Sequence, residues 1–260
     1  TEPKIIRSAT LAVSEGIAKP ILLGKKEIIE KIAAENDYDL TGIEIVDPET
    51  YPKLNAYIEE YSRMRQRKGV TYETAVKDIT YRPNYFGAMM VHTGDADGMI
   101  SGLTRHYPNT IRPALQIIGR DQRYSKVSGL YILSFKKGVY FLSDTTVNLN
   151  PTAEDICDIT LQAAEFVTNF DIQPKIALLS YSNFGSAEGE IPEKMRKALE
   201  LIKQKRPDLI VDGEMQADTA VVPEIIDETY PFSELKGGAN VLIFPDLDSG
   251  NIAYKLLARL

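Results

Sequence analysis

Cysteine is almost missing from this chain: Cys157 is the single one in 260 residues. That excludes an intrachain disulfide. Because it falls in a segment with helical spacing of apolar residues, Cys157 reads as a small core side chain. Histidine is nearly as scarce, and His92 and His106 do not supply the closely spaced Cys/His set of a zinc site. No apolar run approaches the ~20 residues needed to span a bilayer. The start, Thr1-Glu2-Pro3-Lys4, lacks the apolar core of a signal peptide. Membrane association is therefore not expected, and the cytoplasm is the expected compartment. Nor is there an excess of basic charge. With 30 Lys and Arg against 37 Asp and Glu, the net charge of −7 argues against nonspecific nucleic-acid binding. A local basic cluster can still hold a small phosphorylated ligand. Three motifs are also lacking: the P-loop, the Gly-x-Gly-x-x-Gly fingerprint and the Gly-x-Ser-x-Gly elbow. Without the second, NAD(P) binding through a Rossmann fingerprint is not expected.

What is present is an ordinary globular composition, 43% apolar and 26% charged, in a chain long enough for two buried cores. Apolar residues recur at helical spacing over Ile5–Ser14, Lys25–Asn36, Leu54–Arg65, Tyr85–Val91, Glu193–Lys203 and Asp218–Ile226. Thr71 opens a further short helix, and Pro113 is expected in the first turn of a helix continuing through Ile118. Thr152 with Asp155 forms a capping-box start for a helix whose apolar face is Ile156, Ile159, Ala163, Phe166 and Val167. Strand candidates are Pro20–Leu23, Ile43–Val46, Ile176–Tyr181, Leu209–Val211 and Val241–Phe244. Val127–Phe135 and Val139–Leu142 form a hairpin around Lys136-Lys137-Gly138. This alternation predicts an α/β fold with two lobes of mostly parallel sheet flanked by helices. The turn-rich passage Gly119–Ser128 sets the expected boundary, with lobe I at residues 1–125 and lobe II at 126–260. Ligands of such sheets sit beyond the carboxyl ends of strands.

Three loop stretches are dense in small and polar residues. Gly94-Asp95-Ala96-Asp97-Gly98 leads through Ser101 and Gly102 to Arg105 and Arg112. Ser180-Tyr181-Ser182-Asn183-Phe184-Gly185-Ser186 follows a strand, and Asp246–Asn251 follows another and opens a helix. The last two have the form of an anion contact, small residues with backbone N–H groups near a helix start, although plain turns share it. Asp95 and Asp97 could be oxygen ligands for Mg²⁺, but the Gly-flanked turn favours backbone capping. The cluster Arg63, Arg65, Arg67 and Lys68 suits a helix C-terminal end. Arg112, beside a proline and an apolar run, reads equally as a surface residue or as a phosphate-binding guanidinium.

Taken together, several segments resemble the phosphate acetyltransferase (phosphotransacetylase) family. They are Gly94–Gly102, Thr110–Ile118, Asn150–Glu154, Leu179–Ser182, Asp212–Gln216, Ile243–Leu247 and Gly250–Lys255, in order along nearly the whole chain. Other stretches, including Arg65–Thr71, Tyr85–Val91, Gly102–Pro108, Asp144–Asn148 and Pro231–Gly237, resemble the C-terminal portion of hybrid NADP-dependent malic enzymes. The transferases usually carry histidine at the position of Arg105 and lysine at that of Phe184. The resemblance implies an isocitrate-dehydrogenase-like fold with a ligand cleft between the lobes, and homodimers or higher oligomers. It also implies acetyl-CoA or phosphate as ligand, contacted by Arg65, Arg112, Ser180, Tyr181, Ser182, Asn183, Gly185, Ser186, Asp246 and Asn251, with Arg105 and Ser101 as additions. The family's serine, arginine and aspartate catalytic segment is expected beyond Leu260, the chain being read as cut at both ends. On that reading the module alone is non-catalytic and senses acetyl-CoA for a malate-decarboxylating enzyme. NADP and a divalent metal are expected only in that enzyme's other half, and the module itself needs no cofactor.

Overall fold

The computed structural model describes residues 2–260, which form two compact units, the first ending at Gly119 and the second running from Arg120 to Leu260. In the first unit, α1 (Pro3–Ser14) starts on Pro3, whose fixed φ and missing N–H suit a first helical turn. Strands β1 (Ile21–Leu23) and β2 (Glu44–Val46) pair in parallel, joined by the crossover helix α2 (Lys26–Glu35). Helix α3 (Leu54–Arg65) runs into a 3₁₀ turn that Gly69 ends in the left-handed conformation, φ 83°. Thr71 then caps α4 (Tyr72–Tyr81), accepting from the Thr74 N–H at 3.1 Å. Helix α5 (Pro83–Thr93) is buried through six consecutive residues, Tyr85 to Met90, and stops at the left-handed Gly94. Its core is rich in tyrosine. Tyr57, Tyr61, Tyr85, Phe86, Ile79 and Met89 pack as one cluster, so hydroxyls enter an apolar interior and need partners there.

Helix α6 (Tyr107–Ile117) corrects one expectation. Pro108 occupies its first turn, which puts Pro113 inside the helix rather than at its start. An interior proline removes one helical N–H and crowds the carbonyl four residues back. That carbonyl, of Asn109, accepts instead from the Asn84 side-chain amide at 2.9 Å.

The second unit holds a five-stranded sheet in the order β3-β4-β7-β5-β6. β3 (Leu130–Phe135) and β4 (Gly138–Ser143) form the expected antiparallel hairpin. β7 (Val241–Ile243), β5 (Lys175–Leu179) and β6 (Ile210–Met215) add in parallel to β4. Helix α7 (Ala153–Thr168) and helix α8 (Glu190–Lys205) cover one face through Ile156, Ile159, Met195 and Ile202. On α7, Thr152 and Asp155 complete a reciprocal capping box, and Cys157 is fully buried, its thiol pushed up by burial. α11 (Leu247–Leu257) follows β7.

Two expectations are corrected here. Strand β6 continues past the expected end at Val211, through Asp212, Gly213 and Glu214 to Met215. Gly213 adopts φ 144°, and a Cβ there would lie 2.7 Å from the Leu178 carbonyl oxygen. The single helix expected over Asp218–Ile226 is two, α9 (Ala217–Val221) and α10 (Pro223–Thr229). Val222 precedes Pro223 and is extended, φ −108°, as residues before proline tend to be.

Candidate functional site

In the first unit, Arg82, Asn84, Tyr85, Arg105, Arg112 and Pro113 line one open cavity of about 330 Å³. Helix α5 supplies Asn84 and Tyr85 from its first turn, α6 supplies Arg112 and Pro113, and the connecting loop supplies Arg105. Arg82, just ahead of α5, is paired at 3.0 Å with the buried carboxylate of Asp78. Arg105 and Arg112 are exposed and make no ion pair among the described residues. Two uncommitted guanidiniums on a concave wall favour an anion with several oxygens, such as a phosphate. Ser101 joins the same construction, its hydroxyl donating to the Asn84 side-chain oxygen at 2.7 Å.

Beneath the cavity lies a phenol network. The Tyr61 and Tyr85 hydroxyls donate to the Gln116 side-chain oxygen at 3.3 and 3.0 Å, and their rings meet edge-on at 5.6 Å. Burial, with the nearby Tyr85 and Asp78, pushes the Tyr61 phenol well above its usual range, so it stays a neutral donor. Arg65, the last residue of α3, lies close enough to oppose that shift, and its Nε is buried with no hydrogen-bond partner. Asp95 is neither a backbone cap nor part of a metal cluster. Its carboxylate accepts from Lys53, from the Tyr57 hydroxyl at 2.5 Å and from Thr93 at 3.1 Å, tying the turn after α5 to α3. No group of three or more His, Cys, Asp or Glu suited to a metal occurs among the described residues.

In the second unit the loops after β4, β5, β6 and β7 share the carboxyl edge of the sheet, because those strands are mutually parallel. After β5, the stretch from Ser180 to Ser186 wraps around Glu214. That carboxylate, fully buried, accepts from the Ser182 hydroxyl at 2.8 Å, the Gly185 N–H at 2.9 Å and Arg196 at 2.9 Å. Other loop N–H groups are engaged as well: Phe184 with the Glu214 carbonyl, Asn183 with the Ser186 hydroxyl, Ser186 with the Asn183 carbonyl and Ala187 with Ser182. The Asn183 side chain accepts from the Gln216 N–H at 2.8 Å, and Gln216 reaches the Tyr181 carbonyl at 2.7 Å. Tyr181 keeps an exposed ring and donates to the Glu188 carbonyl.

After β7, Asp246 caps α11 by accepting from the Ser249 N–H at 2.8 Å. The Asn251 amide donates to the Thr145 carbonyl at 3.0 Å. A Cβ at Gly250 would lie 2.3 Å from the Asp144 carbonyl oxygen, so glycine lets α11 approach that turn. Asp144 is itself saturated, accepting from the N–H groups of Gly129, Thr146, Val147 and Asn148 and from the Asn148 amide. Lys194 lies next to the Asp246 loop, donating to the Pro245 carbonyl at 2.7 Å. Burial pulls its ammonium below the usual lysine range, with Asp246 and Glu190 opposing.

The structure thus brings Arg105 and Arg112 to one cavity, with Ser101 bonded to its Asn84 and Arg65 outside its lining, and the predicted loop residues of the second unit to one sheet edge. Sequence reasoning missed Arg82, Asn84, Lys194, Arg196 and Glu214. For Asn84 a signal existed: Pro113 amid helical spacing leaves a carbonyl that some nearby amide must satisfy. Glu214 had none, since its partners are distant in sequence.

A family model for phosphate acetyl/butaryl transferase matches residues 1–260. The Bacillus subtilis phosphate acetyltransferase is 36% identical over 259 residues, covering all of this chain and 80% of that protein. A crystal structure of a phosphotransacetylase from Streptococcus pyogenes superposes with a TM-score of 0.90 at 37% identity, covering 100% of this chain and 79% of that one. An Escherichia coli NADP-dependent malic enzyme is 38% identical over 259 residues, covering 98% of this chain but 34% of that enzyme. The chain spans about four fifths of some curated relatives and between 34 and 37% of others. A Rossmann-independent α/β transferase is the class these features define. The chain belongs to the phosphate acetyl/butaryl transferase family.

One expectation is overturned by these matches. The module was read as non-catalytic, yet relatives named as phosphate acetyltransferases are 36 to 40% identical along its whole length. No helix among the described residues is long and apolar enough to cross a membrane.

Proposed function

We propose that this chain performs phosphate acetyltransferase chemistry, exchanging CoA and phosphate on an acetyl group. The observation that carries the reading is the cavity where Arg105 and Arg112 present guanidiniums without ion-pair partners among the described residues. In the direction from acetyl-CoA, a phosphate oxygen attacks the thioester carbonyl and the CoA thiolate leaves; in reverse, the thiolate attacks acetyl phosphate. Both directions require the phosphate to be held with one oxygen aimed at the carbonyl carbon. Fixed bidentate donors supply that orientation and offset the charge that collects in the transition state. Arg112 and Arg105 are assigned to the phosphate group, with Arg65 as a third guanidinium of the same role. The acyl-CoA contacts are assigned to the sheet-edge loops, Ser180 to Ser186 with Asp246 and Asn251. Because most donors of the first loop are internally bonded, its exposed Tyr181 is the contact best placed to meet a ligand. A homodimer is part of the same proposal.

The test is direct: incubate the protein with acetyl-CoA and inorganic phosphate and measure acetyl phosphate and free thiol. Equal formation of both is expected. Saturable binding of acetyl-CoA with no acetyl phosphate would overturn the reading and favour an acetyl-CoA-responsive part of a malic enzyme, the setting of the Escherichia coli relative.

A further inference from the structure

Asn84 makes two side-chain hydrogen bonds, both to residues downstream of it. Its amide donates to the Asn109 carbonyl on α6 at 2.9 Å, and its oxygen accepts from the Ser101 hydroxyl at 2.7 Å. Three segments therefore meet at one planar group: the first turn of α5, the loop of Ser101, and α6. Arg105 lies between the second and third segments, and Arg112 lies on the third, one residue before Pro113. All of Arg105, Arg112, Asn84 and Asn109 line the same cavity.

The Asn109 carbonyl is open to Asn84 because Pro113 has no N–H to close the helical bond. An unbroken helix would satisfy that oxygen within α6, and α6 would have no such tie to α5. The proline thus converts an internal helix bond into a bond between helices. We infer that Asn84 is a positioning residue which, through Ser101 and the carbonyl freed by Pro113, fixes the separation of Arg105 and Arg112 for a phosphate group. This rests on the reading of the cavity as an anion site. The group bound is a phosphate, either free or carried by CoA.

A second property follows from the side chain's chemistry. A carboxamide offers a donor and an acceptor on one rigid plane without carrying charge. Aspartate would keep the bond from Ser101 and lose the one to Asn109, while adding a negative charge to the arginine wall.

The experiment is calorimetric titration of the whole chain with inorganic phosphate and, separately, with CoA. Whichever probe the wild type binds identifies the source of the phosphate group and serves for the variants. Arg112→Ala tests the cavity. Asn84→Ala is expected to weaken that probe about fivefold to tenfold, the equivalent of one lost hydrogen bond within a charge-assisted site. Ser101→Ala, which removes one strut from a loop, is expected to weaken it about twofold to threefold. The decisive variant pairs Asn84→Ala with Pro113→Ala, which returns an N–H to the Asn109 carbonyl. If Asn84 positions the arginines through that carbonyl, Pro113→Ala alone weakens the probe about as much as Asn84→Ala, and the pair regains thermal stability without regaining affinity. Wild-type affinity in the pair would make Asn84 a mere carbonyl cap and overturn the inference. So would unchanged affinity in both Asn84→Ala and Ser101→Ala, while a loss confined to Arg112→Ala leaves the cavity reading standing. A wild type that binds neither probe overturns both.

Discussion

The two units treat their polar groups in opposite ways. Around the first unit's cavity, Arg105 and Arg112 make no ion pair among the described residues, and they share its wall with Tyr85, Arg82 and the amides of Asn84 and Asn109. At the sheet edge of the second unit, Asp144 and Glu214 are buried and ringed by donors, and loop N–H groups close on their own side chains. A carboxylate wrapped by its own loop shapes that loop, even where one oxygen, Glu214 Oε2, is buried without a hydrogen bond; a guanidinium without an ion pair is left for a ligand. The difference separates groups that hold structure from groups that hold ligand, although both kinds looked alike as small, polar, loop-borne residues in the sequence.

Glu214→Ala is the largest test of that contrast. It removes the acceptor shared by Ser182, Gly185 and Arg196 and leaves those donors in a buried site. Breaking such a pair is expected to cost about 3 kcal/mol of folding stability, read by urea denaturation. Glu214→Gln, which keeps one acceptor, should lose less. A change under 1 kcal/mol in Glu214→Ala would mean that the loop does not depend on this carboxylate.

Arg112→Ala should behave in the opposite sense. Losing a charge-assisted contact is expected to weaken phosphate affinity by ~1.5–3 kcal/mol. Stability should change by no more than about 0.5 kcal/mol, as for an exposed residue without structural partners. The pair of measurements, KM for phosphate and thermal midpoint, breaks the contrast if Arg112→Ala unfolds the protein instead.

How far the sequence exposed this arrangement depended on the range of the interaction. The α/β alternation, the hairpin at Lys136-Lys137-Gly138 and the capping box at Thr152 were legible because each depends on residues within a few positions. Leu54–Arg65 emerged with the bounds its apolar spacing gives. The extension of β6 through Asp212 and Glu214 was not legible, because a polar pair flanking glycine signals a turn unless a buried partner, here Arg196 from α8, is already known. Asp95 was misread for the same reason, its partners Lys53 and Tyr57 lying about forty residues upstream. Arg105 and Arg112 were legible as candidates; Pro113 signalled a carbonyl in need of a donor, but that the donor is Asn84 depends on how α5 and α6 pack.

A smaller, pH-dependent effect sharpens the account of the second unit. Burial pushes the Asp158 carboxyl up, but the Ser125 hydroxyl at 2.6 Å, its N–H at 2.9 Å and Lys205 at 3.3 Å outweigh this, leaving it net lowered. A carboxylate whose folded pKa lies below its unfolded value of about 3.9 stabilises the fold fully above that value. The contribution is lost as pH falls from there through the folded pKa. Asp158→Asn is therefore expected to cost about 1–2 kcal/mol at pH 7, with the gap to wild type narrowing below about pH 4. A gap that stays constant down to pH 3 would assign the loss to geometry rather than charge.

The smallest expected effect compares one cap from each unit. Thr71 caps α4 through Thr74 alone, accepting from its N–H, with its hydroxyl also at 3.0 Å, at an exposed helix start. Thr152 caps α7 reciprocally: its hydroxyl accepts from the Asp155 N–H at 3.2 Å, and the Asp155 carboxylate accepts from the Thr152 N–H at 3.1 Å. Alanine at an N-cap typically costs about 1 kcal/mol. In Thr152→Ala the Asp155 bond to the backbone survives but loses the hydroxyl that holds the turn, and α7 is the helix that buries Ile156 and Ile159 against the larger sheet. Thr152→Ala should therefore lose about 1 kcal/mol and Thr71→Ala about half that, measured by denaturant midpoints at constant slope. The reverse ranking would show that the exposed start of α4 carries more of its unit's stability than its place in the fold suggests, and that the first unit is held as tightly near its cavity as the second is at its sheet edge.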